Sequence, residues 1–138
     1  MARETTADDA GVSTIEMVIL TPLLMFMVLL IVAFGILVDA NGTVSNAASD
    51  AARAGSLQRT EPAALAAAQT AADADLAGTC SGTPSVQPAA DGMDFIAGGM
   101  FAITVTCKAD AFGVLGVNDP KTITEQAAAP LDPYRRTG

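Results

Sequence analysis

The chain contains no histidine. That removes the side chain most often used as a general base near neutral pH and most often found on a transition metal. Basic side chains are few, 7 Lys and Arg against 15 Asp and Glu, for a net charge of −8. A nucleic-acid surface needs a basic footprint, so no nucleic acid is expected as a partner. Aromatic residues make up only 4% of the chain. Outside one long apolar run the hydrophobic residues are mostly alanine. The part of the chain that stands in water therefore builds a thin core, at about 25 cal/mol per Å² of apolar surface. Cysteine is scarce as well: Cys80 and Cys107 are the only 2. The residues that remain assemble no nucleophile with a base, no working carboxylate pair and no ligand set. The expectation is a chain without enzymatic activity, cofactor or metal.

What the sequence has in quantity is hydrophobicity in one place. Residues 17–38 carry no charged side chain. As an α-helix they extend about 33 Å, enough to cross about 30 Å of hydrocarbon. Residues 23–32 are apolar on every side, the pattern of lipid contact or full burial rather than of a two-faced surface helix. Pro22 is tolerable in such a helix. Residues 12–38 are expected to form one helix, with Ser13 or Thr14 as its cap and Glu16 in the first turn, where the helix dipole favours a negative charge. A cleavable signal peptide competes with this reading, because Val38-Asp39-Ala40 is a passable small-residue site that would leave Asn41 first. Signal peptides, however, carry apolar regions of only about 7–15 residues. The leader, residues 1–10, is polar and acidic, with Arg3 as its one basic side chain, and is expected to be disordered or removed.

Beyond the run, residues 39–59 continue the helix into water. Small residues recur there at steps of three and four. Ala47, Ala51 and Gly55 form a line along which another helix can approach closely; alanine is also simply the best helix former, and the sequence leaves both explanations open. Thr60-Glu61-Pro62 signals a new helix, with a capping threonine and a proline in the first turn. Residues 63–77 are helical and alanine-rich, and Gly78 suits the position just past their end. Asp73 and Asp75 diverge on that helix and do not share a ligand. Residues 80–90 are rich in turns, with a short strand at 85–87. Asp91-Gly92-Met93-Asp94 lacks the oxygen-rich spacing of a calcium loop and is a plain turn, as is Gly98-Gly99. Residues 101–107 alternate apolar side chains with threonine and form the clearest strand. Phe112-Gly-Val-Leu-Gly-Val117 is an apolar loop broken by glycine, and Asn118-Asp119-Pro120 is a turn. Residues 121–128 lean to strand. Two strands and a long connection suggest a hairpin packed on the helix, since alone it would be marginal. Arg135-Arg136 lies in a tail expected to be solvated. If the region beyond the run is exported, one Cys80–Cys107 disulfide is the expected state; in a reducing compartment the two would remain buried thiols.

Glu16 is the residue whose chemistry needs explaining. A carboxylate beside hydrocarbon is costly without a cation or a donor, and residues 17–38 supply no basic side chain. Cutting the chain between Gly11 and Val12 would create an α-amino group with an ordinary pKa of about 8, largely protonated near neutral pH. That group would stand four residues from Glu16 on the same helical face, able to pair with the Glu16 of its own chain or of a neighbour. The plainer alternative leaves Glu16 solvated at headgroup depth.

Gly11-Val-Ser-Thr-Ile-Glu16 followed by an apolar run resembles the processing motif of type IV pilin-like proteins. More narrowly, the chain resembles the TadE-like pseudopilins of tight-adherence (Flp-type) pilus systems, of the actinobacterial kind. The residues that carry this are Glu16-Met17, Thr21-Pro22-Leu23-Leu24, Phe34-Gly35, Val44-Ser-Asn-Ala-Ala48, Ala51-Ala52-Arg53-Ala54-Gly55 and the ending Pro130-Leu-Asp-Pro-Tyr-Arg135. The leader departs from the family in lacking basic character. The part beyond the helix is larger than in the short major pilins, which favours a minor pilin. The resemblance implies cleavage after Gly11 by a prepilin peptidase and a guiding role for Glu16 in assembly. It also implies partners: sibling pseudopilins and a pilus assembly platform, with oligomers formed through the N-terminal helix.

The expected fold class is α+β. A cleaved leader, 1–11, precedes a transmembrane and assembly helix, 12–38. An alanine-rich helical region, 39–78, and a small antiparallel β region, 79–138, stapled by Cys80 and Cys107, follow. The expected location is the cytoplasmic membrane, crossed once with the C-terminal region outside and membrane lipid around the span, and from there the pilus or cell surface. The alternative is an uncleaved single-pass protein whose exported part binds a ligand or partner.

Overall fold

The structure, a computed structural model, describes residues 9–90, 94–110 and 112–134, without the side chains of residues 9–14 and of Val114. The bulk of the leader, most of the turn at Asp91–Asp94 and the Arg135-Arg136 pair lie outside the described residues.

One helix dominates. Helix α1 runs Asp9–Ser56, 48 residues with Pro22 inside it, or about 72 Å at 1.5 Å per residue. It is already helical at Asp9. Ser13 and Thr14 therefore stand inside the helix rather than capping it, and Glu16 falls beyond the first turn, contrary to expectation. Next to the proline, the Thr21 hydroxyl donates to the Met17 carbonyl at 2.6 Å. This satisfies the one hydroxyl of the apolar run without water, as a membrane interior requires. The helix ends three residues before Arg59, where Gln58 N–H donates to the Gly55 carbonyl. The chain must reverse here, and Thr60 is already extended at φ −125°, ψ 148°.

Helix α2, Glu61–Asp75, begins beyond that reversal with Pro62 in its first turn. Thr60 occupies the cap position, but its side chain makes no capping bond; its carbonyl instead accepts from Ala64 N–H at 2.9 Å. The helix closes at Leu76. Gly78, at φ 83°, follows one position later than the sequence suggests, because Thr79 N–H turns back onto the Leu76 carbonyl.

Among the described residues three strands complete the fold: β1, Ser85–Pro88; β2, Met100–Ala109; and β3, Lys121–Pro130. They form one antiparallel sheet in the order β1-β2-β3. The expected hairpin is therefore the larger part of a three-stranded sheet, which covers an apolar face better than two strands can. Between β2 and β3 lies a single 3-10 turn, Gly113–Leu115.

The core follows directly from the residue spacing. On α1, Ala40, Val44, Ala47, Ala48, Ala51 and Ala52 are buried, a stripe with steps of three and four. On α2, Ala64, Ala68 and Ala72 are buried, and Leu76 follows at the same step. Phe101, Ile103, Val105, Cys107 and Ala109 alternate inward from β2, joined by Ile123, Ala129 and Leu131. Threonines 104 and 106 and Lys108 face the other way. Alanine on both helices lets α1, α2 and the sheet approach closely, and Leu76, Phe101, Ile103, Ile123 and Leu131 fill what remains. The Cys80–Cys107 disulfide ties the segment after α2 to β2, with Cα atoms 5.6 Å apart.

Candidate processing and assembly site

Most of the apolar run of α1 is exposed. Ile15, Met17, Val18, Leu24, Met25, Phe26 and Ile31 are all more than half exposed. Among the described residues this is the one helix long and apolar enough to cross a membrane. Glu16 and Asp39 are the charges that bracket the run, about 35 Å apart along the axis, slightly more than the hydrocarbon thickness. Glu16 is exposed, and its side chain meets no partner among the described residues. Gly11 and Val12 lie on the same helix, one turn or more before it; their side chains lie outside the described set. The backbone of residues 11–12 is helical, continuous with what precedes and follows.

The line Ala47, Ala51 and Gly55 sits elsewhere in the molecule. All three are buried within the chain's own fold, where α1 packs on α2, β2 and β3. Gly55 is covered by the ring of Phe101: a Cβ placed there falls within 3.0 Å of three ring atoms. The close approach that small residues permit is used internally, by this chain's own second helix and sheet. At the other end of β2, Ala109 and Asp110 share a surface depression with Ile36, Asp39 and Ala40 of α1. Strand β2 thus runs down α1, from Gly55 to the upper edge of the apolar run.

Sequence reasoning passed over one polar residue with a structural role. Gln69, half-buried on α2, donates to the Pro84 carbonyl at 2.9 Å and accepts from Val86 N–H at 3.1 Å. It also donates to Asp73 at 2.9 Å. Its amide acts as a short extra strand against the free edge of β1, meeting groups two residues apart that point the same way. A lone glutamine beside a run of buried alanines was the available signal. Among the described residues no group of three or more His, Cys, Asp or Glu side chains could hold a metal.

Residues 11–53 match the family model described as TadE-like protein. From Gly11 to Arg53 the chain is similar to the TadE-like family. No curated protein and no solved structure matches it. The TadE-like segment opens at Gly11, contains Glu16 and the whole apolar run, and closes within the buried stripe of α1. Helix α2, the disulfide and the sheet lie outside it. A TadE-like segment built on a candidate membrane span fits a membrane-anchored protein associated with a Tad pilus system.

Proposed function

We propose that this is a minor pilin or pseudopilin of a Tad/Flp-type pilus, held in the cytoplasmic membrane by α1 with the sheet region outside. In this reading a prepilin peptidase cuts after Gly11, and the freed Val12 amine supplies the cation that Glu16 lacks, in its own chain or in a neighbour's. The protein then takes part in initiating or building the fibre alongside sibling pseudopilins and the assembly platform, and so contributes to adhesion. No catalytic role of its own is proposed. The observation that carries the reading is Glu16, an exposed carboxylate without a partner among the described residues, at the mouth of an apolar run and five residues past the glycine at which the TadE-like match begins.

One consequence concerns packing. The line Ala47, Ala51, Gly55 is occupied within the chain, so helix contacts between subunits fall to the exposed apolar faces of residues 15–38. An uncut single-pass anchor is the second reading, favoured by the helicity that runs unbroken through residues 11–12; a peptidase must first unwind that turn. Glu16→Ala decides whether the carboxylate guides assembly. The variant is expected to insert and mature normally yet be lost from the sheared fibre fraction. Normal recovery of Glu16→Ala in fibres would contradict the role given to Glu16.

A further inference from the structure

We infer that the connection between β2 and β3 is a second membrane contact, dipping beside α1 into the interface of the leaflet on the sheet's side, with Phe112, Leu115 and Val117 as its apolar contacts. The inference rests on the reading that α1 spans a membrane.

Three observations lead there. First, β2 descends α1 from Gly55, under Phe101, to Ala109 beside Ile36 and Ala40, so the connection leaves the sheet at the end nearest the apolar run. Second, the 3-10 turn packs against α1, and the covered face of α1 continues below Ala40. Leu37 is half-buried, and Ala33 is 0% exposed although it lies inside the run. Ala33 is six residues below Asp39, about 9 Å along the axis. Interfacial elements bury their apolar faces about 5–10 Å into the headgroup and acyl boundary, so this depth suits lipid contact. Third, the composition is wrong for a loop in water. Residues 112–117 carry no charge, and they are not absorbed by the core: Phe112 and Leu115 stay half-buried and Val117 is 52% exposed. Charges stand at both flanks, Asp110 and Asp119, where they would remain at headgroup level and limit the depth. Lipid is the occupant because the loop lies against the membrane helix, at a level where an unassembled subunit has lipid as its neighbour.

Two points of contact, one deep and one shallow, would fix the tilt of the sheet region over the membrane before assembly. The chain has no tryptophan, so one substitution makes a clean reporter. Val117→Trp, Phe26→Trp and Tyr134→Trp are each introduced into the full chain. Each is reconstituted at high dilution in phosphatidylcholine–phosphatidylglycerol vesicles carrying lipids brominated either near the headgroup or near the chain ends. Phe26 lies within the span; Tyr134 is 91% exposed, at the end of the sheet remote from it. The expected result is quenching of Phe26→Trp by deep bromine, quenching and a blue-shifted emission of Val117→Trp with shallow bromine, and no lipid quenching of Tyr134→Trp. If Val117→Trp behaves like Tyr134→Trp while Phe26→Trp is quenched, the loop contact is wrong and the span stands. If Phe26→Trp is not quenched, the span itself fails and the loop contact with it. A blue shift at Val117→Trp that ignores brominated lipid and vanishes on dilution would assign the surface to a second copy of the chain instead.

Discussion

Placing a methyl group on Gly55 sets two effects against each other, and their signs differ. Within a helix, alanine is favoured over glycine by about 1 kcal/mol. If the small-residue line faced open space or lipid, Gly55→Ala would therefore stabilise the chain. Here the added Cβ falls within 3.0 Å of three atoms of the Phe101 ring. That ring cannot swing aside freely: Phe101 is 0% exposed and stands edge-on to Phe95, with centroids 5.9 Å apart. Overpacking of this kind costs about 1–3 kcal/mol, and three ring atoms so close put Gly55→Ala at the upper end. Subtracting the propensity gain leaves a net loss of about 2 kcal/mol, or about a 30-fold fall in the folded-to-unfolded ratio. Pulse proteolysis of the full chain in detergent across a urea series measures this. Phe101→Leu in the Gly55→Ala background should recover part of the loss, since it withdraws the atoms that clash. A Gly55→Ala chain as stable as the parent or more so would refute the seating of Phe101 on Gly55, and with it the internal use of the small-residue line.

Replacing both Cys80 and Cys107 by serine should cost about 3–4 kcal/mol for a bridge of this loop length, sequence separation 27. Urea unfolding with and without reductant checks it, and a parent chain indifferent to reductant would show that the bridge contributes nothing. Gln69→Ala strips the Pro84 carbonyl and the Val86 N–H of their partner and should cost about 1–2 kcal/mol, seen as faster amide exchange at Val86 while β2 and β3 stay protected. Unchanged exchange at Val86 would remove Gln69 from the sheet's edge.

Most of the fold was legible because period and composition agree. The stripe from Ala40 to Ala52 keeps helical spacing, the alternation of Phe101, Ile103, Val105 and Cys107 keeps strand spacing, and both survive folding unchanged. The partner of a surface made of small residues was not legible. Ala47, Ala51 and Gly55 accept a sheet, a helix of the same chain or a helix of another with equal ease, and only the closing of α2 and β2 over α1 assigns them. The start of α1 was misplaced because Ser13 and Thr14 have capping chemistry, yet hydrogen-bonded turns already precede them. Strand β1, expected at 85–87 and found at Ser85–Pro88, carries too little pattern of its own to show where it pairs. It is held in place because β2 pairs with one edge and Gln69 with the other, a contact across 15 residues or more that local sequence does not announce. Glu16 is the reverse case. Its interest was plain from the sequence, and folding leaves it exposed and, among the described residues, without a partner, so the role proposed for it depends on what happens to the peptide bond after Gly11.

Whether the bond between Gly11 and Val12 is cut separates a processed pilin-like subunit from a plain membrane anchor. The intact mass and N-terminal sequence of the protein recovered from the membrane of cells that carry the pilus system decide it. A chain beginning at Val12 is expected, and an uncut product when Gly11 is replaced by alanine. A chain that keeps its Met1 end, or one that begins at Asn41, would contradict it.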